Sequence, residues 1–384
     1  MKIIAPKIFR LINIFCLLAL VSLLVISCYT HTNIASNQGA VSPLVVEVPS
    51  PTIARFINSD TEDLEPFPPW HSASFLKDSA WIMTSQSGLI STYNGGKTWL
   101  SNLAEEVKKI RCLTFVTTEE GFALDSKGII LKTNDAGKTW KKVSTIPIGL
   151  GEVAFVESQI RFMDQLNGFI VISPGHLWGT SDGGKNWQEL HPFNATKNLR
   201  CALTGGISIK GDNIWLTAEP GILFKSEDRG KTWSFQKIQN SSGLFYDVFF
   251  ISEKTGWVTG FPGLGVFRTD NSGANWKVQL PFVSSAKSIS INSLYFINEN
   301  EGWAVGQNKW EKNGSGMGHG AVLHTVDGGT SWKQVQVGKG DSICSWVHFT
   351  NVNQGWILDR NNIYHTSNKG ETWELVKSLI VVKK

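Results

Sequence analysis

The chain has 384 residues, of which 41% are hydrophobic and 18% are charged. This composition can form a large packed core and is not that of a disordered protein. Three of the 36 basic residues, Lys2, Lys7 and Arg10, lie in the first 28 residues, where no Asp or Glu occurs. The remainder is therefore almost neutral, which argues against a nucleic-acid binder or a general binder of anionic surfaces.

The N-terminal segment has the pattern of an export signal. An apolar stretch follows the three basic residues and ends in Val25-Ile26-Ser27-Cys28, which resembles a bacterial lipobox. This interpretation makes residues 1–27 a lipoprotein signal peptide and Cys28 the lipidated residue of a membrane-anchored protein. An uncleaved anchor helix, or an ordinary signal with a chance cysteine, is the alternative. Residues 28–69 contain six prolines and many Ser, Thr and Asn, and are expected to form a flexible tether.

An eight-residue motif recurs seven times along the rest of the chain. It reads Ser/Thr-x-Asp/Asn-x-Gly-x-x-Trp, with units of about 45 residues. Its acceptor residue and its tryptophan are Asn94 and Trp99, Asp135 and Trp140, Asp182 and Trp187, Asp228 and Trp233, Asn271 and Trp276, Asp327 and Trp332, and Asn368 and Trp373.

Two further sequence features recur at a nearly constant spacing from this motif. An aromatic residue precedes each motif Trp, at Trp81, Phe122, Phe169, Trp215, Trp257, Trp303 and Trp356. In five units this aromatic follows a glycine, and a Phe stands six residues before that glycine. Each unit therefore predicts four short strands: one ends in the Phe, one begins at the Gly, one runs into the Ser/Thr, and one leaves from the Trp. Seven such units predict an all-β fold, a seven-bladed β-propeller over residues 70–384.

The motif resembles the Asp-box of sialidases, sortilin-type receptors, certain endoglucanases and the photosystem II stability/assembly factors. Its residues suit a structural role, because Asp or Asn accepts backbone N–H groups, Gly permits a positive φ and Trp packs between sheets. The use of Asn in three copies argues against a catalytic carboxylate or a charged metal ligand. Replacing Trp233 by Ala is expected to destabilise the fold strongly, and replacing Asp228 by Asn only slightly.

Catalytic and metal chemistry find little support in the sequence. A sialidase needs three converging arginines, and Arg111 and Arg161 are expected to point to opposite faces of their strands. A glycan hydrolase needs two facing carboxylates, for which Asp164, Asp247 and Asp359 are candidates. Cys344 and His348 lie four residues apart on one strand and are expected to share a face, where a metal pair is conceivable. We expect no catalytic residue, no cofactor and no metal, and we interpret Cys112, Cys201 and Cys344 as small buried side chains.

A docking face is predicted opposite the Asp-box turns. A Gly-rich insertion separates the second and third strands of the sixth unit and carries Trp310 and His319. Basic residues lie near the first strands of earlier units, at Lys108, Lys109, Arg111, Arg161 and Arg200. We interpret these seven residues as a protein-binding surface. An ordinary surface insertion and solvated strand-end charges are the alternatives.

The sequence resembles the photosystem II stability/assembly factor family in its lipobox, its tether, its seven Asp-boxes and its Gly-Trp strands. The resemblance implies a non-enzymatic scaffold on the lumenal side of the thylakoid that binds a newly made reaction-centre subunit. More broadly, the sequence predicts an exported, lipid-anchored, monomeric propeller at a cell-envelope or thylakoid membrane that binds a protein partner. A glycan-active hydrolase or carbohydrate-binding propeller of the Asp-box class is the alternative.

Overall fold

The computed structural model describes residues 70–84, 88–148, 158–172, 175–192, 202–238, 244–261, 265–280, 289–308, 320–338, 343–359 and 362–378. All of them belong to one compact unit, Glu62–Lys384. The predicted signal peptide, Cys28 and the tether lie outside the described residues. Within these ranges, no helix has both the length and the apolar composition to cross a membrane.

The described residues form seven four-stranded antiparallel sheets, which are the blades of a propeller. Blades 1 to 3 contain β1 (Trp70–Leu76), β2 (Ser79–Thr84), β3 (Gly88–Thr92), β4 (Leu100–Asn102), β5 (Ile110–Phe115), β6 (Gly121–Asp125), β7 (Ile129–Thr133), β8 (Lys141–Thr145), β9 (Ser158–Phe162), β10 (Gly168–Ile172), β11 (His176–Thr180) and β12 (Gln188–Leu190). Blades 4 and 5 contain β13 (Ala202–Lys210), β14 (Asn213–Glu219), β15 (Ile222–Ser226), β16 (Ser234–Lys237), β17 (Leu244–Phe250), β18 (Gly256–Phe261), β19 (Val266–Thr269) and β20 (Lys277–Leu280). Blades 6 and 7 contain β21 (Ile289–Phe296), β22 (Gly302–Asn308), β23 (Gly320–Thr325), β24 (Lys333–Gln334), β25 (Cys344–Phe349), β26 (Gly355–Asp359), β27 (Asn362–Thr366) and β28 (Glu374–Ser378).

The predicted strand order is confirmed in every blade. Each sheet runs from first to fourth strand in chain order, and the first strands of successive blades contact one another around the axis. The ring closes between blades 7 and 1, because Ala73, Phe75 and Ile82 share one core cluster with Trp356 and Leu358. Just before β5, residues Val107–Lys109 form a short 3₁₀ turn.

The three sequence marks meet at the junction between two blades, the interface of one sheet with the next. At the junction of blades 4 and 5, the ring of Trp215 stacks on Phe250 with centroids 3.6 Å apart. The motif Trp276 meets the same Phe edge-on at 6.1 Å. The Trp215 indole donates to the carbonyl of Ser272, in the Asp-box turn of blade 5. An aromatic sandwich thus fixes how blade 5 packs on blade 4.

The glycine that opens the second strand makes room for this Phe. Gly256 pairs with Phe250 across the sheet, and a Cβ at Gly256 would lie 2.5 Å from a Phe250 ring carbon. The other four glycines of this type are blocked in the same way by their own Phe, namely Gly121, Gly168, Gly302 and Gly355. The spacing of six residues is therefore the spacing of a cross-strand pair.

Each Asp-box is a hydrogen-bonded turn. In blade 4 the Ser226 hydroxyl donates to the Asp228 carboxylate at 2.9 Å and accepts the Gly230 N–H at 2.8 Å, while Asp228 also accepts the Thr232 N–H at 2.8 Å. Gly230 has φ +85°. All seven boxes make the equivalent bonds, and the three with Asn make them through the amide oxygen. This geometry is that of a turn stabilised by its own side chains.

Candidate functional site

The first strand of each blade is the innermost, so its side chains at one level surround the axis. We call this level the axial ring. In each blade its member directly precedes the Phe position of the first strand and pairs with the aromatic residue of the second strand. Its members are Ser74, Thr114, Arg161, Ser208, Phe249, Tyr295 and His348. Small polar residues occupy blades 1, 2 and 4, and larger side chains occupy the other four.

Arg161 is the cation of the axial ring. It is half-buried, and its guanidinium donates to the carbonyl of Ile160 at 3.1 Å. Among the described residues it has no ion-pair partner. Its charge nonetheless acts on Asp247 and His348, so side chains of blades 3, 5 and 7 face the same central space. A half-buried cation without an ion-pair partner can bind an anionic group.

Asp247 is the carboxylate nearest to this charge. Its oxygens accept the N–H groups of Val248 and, across the junction, Leu294, both at 2.9 Å. Burial raises the pKa of Asp247 to about 6, although these hydrogen bonds and Arg161 oppose the rise. Asp247 therefore changes charge near neutral pH.

The other titratable side chains near the axis keep one protonation state near neutral pH. Burial and the Arg161 charge lower the pKa of His348 to about 3, and burial raises the pKa of Tyr295. Burial also raises the pKa of Cys112, on β5, to about 11. Between pH 5 and 8, Asp247 is thus the group among these four that titrates.

Aromatic rings line the axis on the side of blades 5 to 1. The ring of Tyr295 lies 4.9 Å from Phe249 and 4.8 Å from His348, and His348 stacks on Phe75 at 5.3 Å. No sequence motif identifies Phe249 and Tyr295, because residues of different type occupy this level from blade to blade. Only the cross-strand pairing identifies it.

Of the predicted docking residues that the structure describes, Lys108, Lys109 and Arg111 do not surround Arg161. Lys108, Lys109 and Arg111 are exposed, and Lys108 pairs with Glu105 at 2.7 Å. They precede or begin β5, hence they lie at the end of the blade opposite the Asp-box. Arg161 stands near the box end of β9, roughly 10 Å further along the strand direction. Arg200, Trp310 and His319 lie outside the described residues.

The expectation that Cys344 and His348 share one face of their strand is wrong. A β-bulge between Cys344 and Trp346 interrupts the alternation of β25. Cys344 packs in the core cluster shared with Trp303 of blade 6, whereas His348 stacks on Phe75 of blade 1. Cys112 and Cys344 are buried, as expected, and Cys201 lies outside the described ranges.

The three carboxylates proposed for a glycan hydrolase all accept backbone N–H groups. Asp164 also pairs with Arg229 at 2.7 Å, and Asp359 accepts the Tyr364 hydroxyl at 3.2 Å. No cluster of three metal-binding side chains occurs within the described part of the chain.

Comparisons with known proteins agree with this fold. A family model for the photosynthesis system II assembly factor YCF48 matches residues 145–242, which include blade 3 and Arg161. Comparison with curated protein sequences returns no match. A YCF48 structure with a bound D1 peptide aligns with a TM-score of 0.59 and 22% identity, over 79% of this chain and 95% of the other.

Two further solved structures show how widely the fold is shared. YCF48 from Cyanidioschyzon merolae aligns with a TM-score of 0.59 and 18% identity, over 81% of this chain and 98% of that one. A GH74 xyloglucanase from Xanthomonas campestris reaches a TM-score of 0.60 at 12% identity, over 82% of this chain and 55% of the enzyme. Identities this low establish the fold alone. With the family-model match, they make the chain a YCF48-like seven-bladed propeller.

Proposed function

We propose that this YCF48-like propeller is a non-enzymatic scaffold that binds a segment of a photosystem II subunit during assembly. The observation that carries the proposal is the match of residues 145–242 to the photosystem II assembly-factor family. The YCF48 structure that holds a D1 peptide supports a polypeptide as the ligand. The cation without an ion-pair partner at Arg161 supports an acidic segment.

In this proposal the partner docks on the face opposite the Asp-boxes. Exposed Lys109 and Arg111 attract the segment as it approaches, and Arg161 binds an acidic group that enters along the axis. A lipid on Cys28 holds the propeller at the membrane from which the partner emerges. Replacing Cys28 by Ser should release the chain into the soluble fraction, whereas an unchanged membrane fraction would contradict the anchor.

Binding is tested with overlapping fluorescent peptides that cover the D1 subunit, titrated by anisotropy against the full chain. We expect saturable binding of an acidic peptide. Arg161→Met should weaken it about tenfold or more, because a buried charge contact is lost. Arg111→Glu should lower mainly the association rate. Lys277→Glu, on the outer strand of blade 5, is the matched control and should change little. No saturable binding by any peptide would contradict the proposal.

The pH dependence offers an independent readout. As the pH falls through about 6, Asp247 loses its negative charge, whereas His348 stays neutral because its pKa is about 3. The space around Arg161 becomes more positive, and an acidic peptide should bind more tightly. Asp247→Asn should remove this dependence. A variant that keeps the full pH dependence would rule out Asp247 as its source.

A further inference from the structure

A second candidate site adjoins the axial ring at the Asp-box end of the axis. A cavity of about 230 Å³ opens there between the first strands of blades 4 to 7. Phe249, Tyr295 and Ile251 are among its wall residues, and Phe296 and Phe349 lie beneath as buried rings. A cavity of about 150 Å³ is enough for a benzene ring. The space therefore fits a ring or a branched aliphatic group with a short substituent.

Three polar groups border this apolar space without a partner among the described residues. The Thr350 hydroxyl is buried and makes no hydrogen bond. Lys210 makes no ion pair, and the Tyr295 hydroxyl makes no hydrogen bond. The carboxylate of Glu253 lies beside Gly211 but is not paired with Lys210. A buried hydroxyl without a partner is unfavourable, and a ligand that bonds to it removes the penalty.

The larger cavity on the rim between blades 4 and 5 shows the contrast. It measures about 410 Å³, and its polar groups already satisfy one another. Lys225 pairs with Glu227, and Gln236 donates to the carbonyl of Ala274 at 3.1 Å. These polar groups already have partners, so the size of the rim cavity alone does not make it a binding site.

We propose that the cavity at the box end of the axis binds a small apolar carboxylate. Its ring or branched group packs against Phe249 and Tyr295, while its carboxylate accepts hydrogen bonds from Lys210 and from the Thr350 hydroxyl. The Lys210 ammonium supplies a positive charge, and the Thr350 hydroxyl supplies a directional hydrogen bond. The apolar walls exclude larger polar acids. Phe249 and Tyr295 also belong to the axial ring, so this site adjoins Arg161, but it differs from the peptide-binding proposal in its ligand and in its polar residues, Lys210 and Thr350.

The probe is 3-phenylpropionate, titrated against the full chain by ligand-observed NMR. Its size limits the expected Kd to about 1 mM. Its amide keeps the ring but lacks the charge and should bind about tenfold more weakly. Lys210→Met should weaken the acid about tenfold, whereas Lys225→Met, in the rim cavity, should stay within about twofold.

Thr350→Val separates a binding role from a structural one. The substitution keeps the shape and removes the unpaired hydroxyl, so thermal stability should be unchanged or higher. Binding of 3-phenylpropionate should nevertheless weaken about threefold. A variant that melts lower and binds equally well would show that the hydroxyl serves the fold.

Three results would overturn the proposal. The first is equal binding of the acid and its amide. The second is equal loss of affinity in Lys210→Met and Lys225→Met. The third is a peptide with a free C-terminal Phe that binds at least about tenfold more tightly than 3-phenylpropionate, since it would identify a polypeptide terminus in place of a small ligand.

Discussion

The junction of blades 3 and 4 differs from the junction of blades 4 and 5. At junction 4–5, Trp215 stacks on Phe250, and Gly256 leaves space for the Phe ring. At junction 3–4 the corresponding cross-strand pair is Ile209 and Ile214, and both pack beside Phe169 in one core cluster. The start of the strand thus does not require the glycine, since Ile214 occupies the same position where no Phe competes for the space. In blade 1 the smallest residue with a Cβ, Ala80, pairs with Phe75.

Junction 3–4 also carries an ionic bridge at its rim. Arg229, in the Asp-box turn of blade 4, contacts Asp164 of blade 3 at 2.7 Å and Asp212 of its own blade at 3.0 Å. This bridge is solvent-exposed, so it contributes far less than the aromatic packing that it accompanies. The comparison predicts that the two junctions respond very differently to substitution.

The largest effect is expected from Phe250→Ala. It removes the ring stacked on Trp215 and leaves a cavity that the rigid strands fill only in part, which should destabilise the fold by about 3–5 kcal/mol. Ile209→Ala at junction 3–4 should have a smaller effect, because Ile209 is only partly buried. Chemical denaturation measures both, and equal losses would remove the distinction between the junctions.

Trp233→Ala should lower stability by a similar amount, about 3–5 kcal/mol. Trp233 packs against the cluster of junction 3–4, and its indole donates to the carbonyl of Gly230 at 3.0 Å. The measurement is the denaturation midpoint at constant slope. A loss no larger than that of Asp228→Asn would contradict the structural role of the box Trp.

Gly256→Ala should destabilise by about 1–3 kcal/mol, because its Cβ collides with the Phe250 ring. In a Phe250→Ile background the same change should cost clearly less, since the pair then resembles Ile209 and Ile214. A double-mutant cycle measures this coupling. Strict additivity would show that backbone conformation, and not the ring, requires the glycine.

Arg229→Gln should destabilise only slightly, and less still in 1 M NaCl, because the bridge is exposed and screened. Partial burial alone raises the pKa of Asp164, but hydrogen bonds from Asn167 and Leu166, together with Arg229, hold it well below its usual value. A lowered pKa gives stability that is present above about pH 4 and is lost as the pH falls further. The difference between the two proteins should therefore be constant from pH 7 to 4 and shrink below it. Thermal unfolding over this range measures it, and a difference that grows in acid would contradict the bridge.

The smallest effect is expected from Asp228→Asn. Hydrogen bonds, first from the Thr232 hydroxyl, lower the pKa of Asp228 to about 2, yet the group is exposed and the gain is screened. In blade 1, Asn94 accepts the Thr98 N–H and donates to the Thr98 hydroxyl at 2.9 Å. The loss should stay within about 1 kcal/mol. A larger loss in the melting midpoint would mean that the charge itself is needed.

The fold was largely predictable because its marks are local and repeated. Strand ends, turn positions and the number of blades follow from a Phe, a Gly and a Trp at fixed spacing, and the structure explains that spacing as a cross-strand pair. The site was less predictable. Arg111 and Arg161 are both arginines of first strands, yet one is exposed at the start of its strand and the other faces the axis near its end.

The sequence by itself determined that seven equal blades form and which residues hold each turn, because a cross-strand pair and a turn need only neighbours in the chain. Only the tertiary structure decided which side chains meet at the axis. Arg161, Asp247 and His348 come from three blades, and no local spacing relates them. The bulge in β25 is a second feature that the sequence does not predict. One extra residue reversed the face of Cys344, and no residue type in the strand indicates a bulge.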